Sequence, residues 1–161
     1  YFHTDTFYAG YGRKIDVDQS LLNIPLVSSI ITYLWVMDED LEISVLDETY
    51  VNNMVKLKHF FEKTYRIDLK SELIVKKTVN NPSNGEGRLL FFSGGLDSMY
   101  SLHRHREVNP LLFMICGYDM YMNGGTQLDV RRKWVETYKR FAEDNNHEIS
   151  FAYTNTRCDL D

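Results

Sequence analysis

The stretch Ser93, Gly94, Gly95, Leu96, Asp97 and Ser98 joins two hydroxyls, two residues without side chains and a carboxylate in consecutive positions. Those residue types suit the holding of an anion. Glycines let the backbone approach a ligand closely, and the first N–H groups of a following helix have no intrahelical acceptor and lie where the helix dipole is positive. The whole stretch, Leu96 included, is a candidate phosphate cradle. The same residues also favour a tight strand-to-helix turn with polar caps, which needs no ligand.

The neighbouring sequence supplies elements to position such a turn. Leu89, Leu90, Phe91 and Phe92 form a short apolar run of the kind that becomes a buried strand, and Met99, Tyr100 and Leu102 continue at helical spacing to about Arg106. After Pro110, the continuous run Leu111–Cys116 is expected to be a central parallel strand covered on both faces. A helix beginning at Thr126 or Gln127 carries Trp134, Val135, Tyr138, Phe141 and Ala142 on one face and ends at Asn145 and Asn146. Ile149, Phe151 and Tyr153 then alternate as a third strand. The order βαβαβ predicts a parallel sheet with helices on its faces. Ligands of such sheets sit beyond the carboxyl ends of the strands, which directs attention to Ser93–Ser98, Gly117–Asp119 and Thr154–Arg157.

The amino-terminal part reads as a small α/β module. Phe7–Ala9 and Lys14–Val17 suggest a hairpin bent at Gly10–Gly12. Pro25 falls near the start of a helix in which Val27, Ile30, Ile31, Leu34 and Trp35 recur at three- and four-residue steps, ending near Met37. Leu41, Ile43 and Val45 alternate as a strand. Asp47 can cap a helix with the apolar stripe Val51, Met54, Val55, Phe61 and Tyr65, and Leu73–Val75 gives another strand. Asn80–Gly87 is rich in turn residues, so the expected division is a module over 1–80, a linker over 81–87 and a second domain over 88–161.

Composition narrows the function classes. The 161 residues are 43% hydrophobic and 25% charged with 3 prolines, a globular profile. A net charge of -5 argues against a general nucleic-acid surface. The apolar stretch around Ile24–Met37 is shorter than the roughly 20 residues of a membrane span. No signal peptide is visible, and two cysteines, Cys116 and Cys158, make no disulfide framework. A reducing, cytoplasmic setting without membrane contact is expected.

Neither GxxxxGKS/T nor GxGxxG is present. Where strand, Ser-Gly-Gly-x-Asp-Ser and helix coincide, the sequence resembles the PP-loop ATP pyrophosphatases. These are the N-type adenylating enzymes related to asparagine synthetase, GMP synthetase, NAD synthetase, tRNA thiolases and 7-cyano-7-deazaguanine synthase. Every fixed position of their SGGxDS motif is matched, and the resemblance covers roughly Arg88 to the carboxyl terminus. It implies ATP and Mg2+ as cofactors and a small-molecule or nucleobase substrate. Ser93, Gly94, Gly95, Leu96, Asp97, Ser98 and Gly117 would bind the nucleotide, Asp97 and Ser98 would serve catalysis, and Asp97 would hold the metal. In the implied reaction a substrate oxygen attacks the α-phosphate and pyrophosphate leaves. The resulting adenylate then takes nitrogen or sulfur.

Other residues stay open between roles. Gly117 offers close access to an adenosine moiety or is a turn glycine. Asp119 suits ribose or metal binding or is a solvated carboxylate, and Arg157, beside Thr154 and Asn155, faces a phosphate, an acidic substrate or solvent. His103 and His105 diverge on a helix and do not chelate one metal readily; Cys116 and Cys158 need an activating base to be reactive. The family core normally continues past the third strand, so the expectation is a fragment without its substrate-selecting part, or a reduced member that binds ATP without completing a reaction. A sheet cut short also leaves an edge to be covered. A non-catalytic nucleotide-binding module is the competing class. The amino-terminal module would orient a substrate or mediate a homodimer.

Overall fold

The computed structural model describes residues 8–82, 85–117 and 127–154, with side chains throughout except at 127–131. In chain order the elements are β1 (Ala9–Tyr11), α1 (Gln19–Leu22), α2 (Ile24–Met37), β2 (Leu41–Ile43), β3 (Leu46–Asp47) and α3 (Glu48–Tyr65). There follow β4 (Leu73–Val75), β5 (Thr78–Val79), β6 (Leu89–Phe91), α4 (Leu96–Arg104), β7 (Leu111–Cys116), α5 (Gln127–Asp144) and β8 (Ile149–Thr154). The protein is mixed α/β with a mostly parallel open sheet. Among the described residues no helix is long and apolar enough to cross a membrane. The chain forms two compact units, one of Asp16–Asn84 and the other of Gly85–Asp161 together with the segment up to Ile15.

In the unit Asp16–Asn84, Asp18 caps α1 by accepting from the Ser20 N–H at 2.8 Å. Pro25 sits in the first turn of α2, where its missing donor costs nothing. That helix stops at Asp38, which adopts a left-handed φ of 59°. Val27, Ile31 and Trp35 are buried at four-residue steps and join Leu46 and Leu69 in the core. β2 pairs with β4 and β3 with β5, both parallel, with α3 as the crossover. The side of α3 packed on this core carries Tyr50, Val51, Met54, Leu57 and Phe61. Val55 and Tyr65, expected in that stripe, are 66% and 62% exposed; Val55 follows Met54 by one position and so points about 100° away from it.

Asp47 caps α3 as its sequence position suggests, and it does more. One carboxylate oxygen accepts the Tyr50 N–H at 2.8 Å, and the other accepts the Asn81 side-chain amide at 3.0 Å. Asn81 also donates to the Ser20 hydroxyl oxygen at 2.9 Å, so a residue of the expected linker ties both helix starts together. The Asn81 amide, then the Tyr50 N–H, hold the Asp47 carboxyl below the usual carboxylate range. Because the folded value is the lower one, the stabilisation is complete above the unfolded value, about 3.9, and is lost as pH falls through the folded value. Asp47→Ala is expected to destabilise this unit by about 1–2 kcal/mol at neutral pH. Urea titrations of both proteins should show that difference shrinking below about pH 4.

The other unit is built on a four-stranded sheet in the order β1-β8-β7-β6. β6, β7 and β8 are parallel, with Leu90 opposite Leu112 and Met114 opposite Phe151. α4 and α5 both pack on the face carrying Leu90, Leu112, Met114, Cys116 and Phe151. The expectation that Leu111–Cys116 is covered on both faces is therefore corrected: burial alternates along β7, and Ile115 is 43% exposed. The run reads as uniformly apolar because its second face also carries hydrophobic side chains.

The expected amino-terminal hairpin is also replaced. Lys14–Val17 forms no strand, and Gly10 lies within β1 instead of at a bend. β1 runs antiparallel to β8, Ala9 opposite Thr154, and the Gly12 N–H donates to the Phe151 carbonyl at 2.7 Å. The first strand thus covers the β8 edge and belongs with the second unit, while the division near Asn84 falls within the expected linker.

Candidate functional site

The Phe92 N–H donates to the Phe113 carbonyl at 2.9 Å as the chain leaves β6, and the Phe92 side chain is buried beneath the turn. Gly94 then takes a φ of 73°, which an L side chain rarely tolerates. Gly95 returns to extended geometry and caps α4 without any side-chain cap bond, and its carbonyl accepts the Met99 N–H at 3.0 Å to open the helix. The N–H groups of Leu96, Asp97 and Ser98 occupy the first turn, where no intrahelical carbonyl reaches them. The Leu96 side chain is 85% exposed, so it adds little to the core and the residue's contribution here is its backbone.

The two serines differ. Ser98 donates its hydroxyl proton to the Gly95 carbonyl at 2.9 Å. Ser93 Oγ lies 3.4 Å from the Gly95 N–H and 3.4 Å from Ser98 Oγ, both at the long limit of a hydrogen bond. Ser93 is therefore the readier donor, and Ser98 must turn away from Gly95 before it can serve an anion. Asp97 stands exposed in the first turn of α4, where a carboxylate is favoured by the helix dipole. The exposed carboxylate offers a single hard oxygen ligand, and no cluster of three or more potential metal-ligating side chains occurs among the described residues.

Tyr138 of α5 also belongs to this site, although its sequence position shows only a core-facing aromatic. Its hydroxyl donates to the Ser93 carbonyl at 3.0 Å. A Cβ at Gly94 would lie 2.6 Å from its ring, so only glycine fits beneath it. Burial pushes the Tyr138 hydroxyl above the usual phenol value.

At the ends of β7 and β8, Gly117 adopts a φ of 102°, and a Cβ there would fall 1.9 Å from the Thr154 carbonyl oxygen. Gly117 and Thr154 are thus brought together by the sheet. Asp119, Asn155, Arg157 and Cys158 lie outside the described residues. His103 and His105 are exposed at the far end of α4, a helix length from the turn, and Cys116 is buried against Met114 and Phe151. Neither histidine is brought to the glycine turn, whereas Cys116 belongs to the cluster against which Tyr138 packs.

No protein family, curated protein or solved structure matches this chain. The first-turn N–H groups of α4 and the weakly held Ser93 hydroxyl are donors suited to an anion.

Proposed function

We propose that this chain binds ATP with magnesium at Ser93–Ser98 and adenylates a carboxylate or carbonyl oxygen, releasing pyrophosphate, in the manner of the PP-loop ATP pyrophosphatases it resembles. The observation that carries this reading is the coincidence of the SGGxDS residues with a strand-turn-helix junction whose first helical N–H groups are open. On this reading the unit is a Rossmann-like half-sheet for an adenine nucleotide, with Gly117 near the adenosine and a small molecule or nucleobase as acceptor.

The roles of the chain's residues follow from their chemistry. The first-turn N–H groups of α4 and the Ser93 hydroxyl would hold the β- and γ-phosphates, and Ser98 would join them after turning from Gly95. The substrate oxygen bonds to the α-phosphorus while the bond from that phosphorus to the bridging oxygen breaks, and the electron pair departs with pyrophosphate. Asp97 would hold magnesium, which would neutralise charge on the leaving group. The backbone N–H donors are fixed by the turn before reaction, so they need little reorganisation as charge develops. No covalent protein nucleophile is involved.

The test incubates the chain with ATP, magnesium and a panel of carboxylic acids and carbonyl-bearing bases. AMP and pyrophosphate are expected in equal amounts, dependent on magnesium and on one class of acceptor. ATP binding without AMP from any acceptor would leave a nucleotide-binding module, and absence of ATP binding would sink both.

A further inference from the structure

We propose that Tyr138 is the positioning residue of the phosphate cradle, holding Ser93 and Gly94 from α5 so that the first-turn N–H groups of α4 face outward. This inference rests on the ATP reading above. The Phe92 N–H makes the bond to Phe113 as the chain leaves β6, and the carbonyl of the following residue, Ser93, is held by the Tyr138 hydroxyl across 45 positions of sequence. The ring and the glycine are matched: the space a Cβ at residue 94 would occupy is filled by the ring's Cε1 and hydroxyl, each 2.6 Å away. The left-handed turn at Gly94 and the bond at Ser93 thus share one side chain.

Tyr138 is itself braced by groups outside the turn. Trp134 stacks on it at 5.7 Å and 28°, and Phe92 meets it edge-on at 6.1 Å and 89°. Phe92 in turn stacks on Phe141 of the same helix at 5.3 Å. The hydroxyl is therefore presented from a fixed place, as preorganised donors require. Filling the core alone calls for the ring, and phenylalanine would do that equally well. The hydroxyl serves the turn.

Tyr138→Phe removes the hydroxyl and keeps the ring. Dissociation constants for inorganic pyrophosphate with magnesium, and for adenosine, are measured on the 161-residue chain and on this variant, together with the melting temperature. Pyrophosphate affinity is expected to fall about 5–10-fold, the worth of one hydrogen bond, with adenosine affinity unchanged and melting within a few degrees. Unchanged pyrophosphate affinity overturns the proposal, and so does an equal fall for both probes, which marks general damage to packing. If the parent chain binds neither probe, the ATP reading itself fails and this inference with it; if the parent binds both and the variant matches it, only the role of Tyr138 is lost.

Discussion

Asp97→Asn is expected to lower magnesium-dependent pyrophosphate release by about a hundredfold or more, the scale typical of losing a principal electrostatic group, with the fold unchanged. The side chain is exposed in the first turn of α4. Its loss should therefore cost stability only the roughly 0.3–1 kcal/mol of a carboxylate near a helix amino terminus. Asparagine has the same shape but no charge, and it is a poor ligand for a hard divalent cation. The sign of the binding effect depends on the metal. With magnesium present, ATP should bind the variant more weakly. With the metal chelated, ATP should bind it as well as the parent or better, because a negative side chain no longer faces the phosphates. Calorimetric titrations under the two conditions, beside an AMP-release assay, check all three outcomes. A variant that keeps the parent rate removes Asp97 from the mechanism.

The largest loss of stability is expected from Gly117→Ala. Two costs combine there: a φ of 102° that a side chain does not tolerate, and a Cβ placed 1.9 Å from the Thr154 carbonyl oxygen. Neither neighbour can move cheaply, since Cys116 and Tyr153, one residue before each, are in register within the sheet. About 3 kcal/mol or more is expected, read as a lowered urea midpoint of the second unit. Gly10→Ala is the control, because a Cβ there meets nothing nearer than the Tyr153 carbonyl at 4.0 Å; its effect should stay within about 1 kcal/mol. Equal stability of the two variants would contradict the packing of Gly117 on Thr154.

The difference between what the sequence disclosed and what it concealed follows the range of the interactions. The junction at Ser93–Ser98, the Asp47 cap and the end of α2 at Met37 are decided within a few residues, and glycine, aspartate and proline mark them plainly. β1 is decided by a partner distant in sequence, and Gly10 within it and Gly12 just after it locally resemble a bend. Tyr138 lies in a helical stripe indistinguishable from core, because nothing local reveals that its hydroxyl reaches a carbonyl 45 positions away. The exposed face of β7 was hidden for a different reason. Phe113 and Ile115 are as hydrophobic as the buried Leu112 and Met114, so the period-two signal is absent from the sequence.

The pairing of β1 with β8 also orders events in time. Ala9 and Thr154 are partners across 145 positions (154 − 9), so during synthesis β1 stays without this partner until β8 has been made. The unit Asp16–Asn84 lies between them and is closed on itself, which lets it fold on the nascent chain in the interval. Once folded, it shortens the effective loop that separates β1 from its partner, and because closure entropy grows only logarithmically, by about 0.6 kcal/mol per doubling, the long wait carries little thermodynamic penalty. β1 can therefore join the sheet only after β8 has been synthesised.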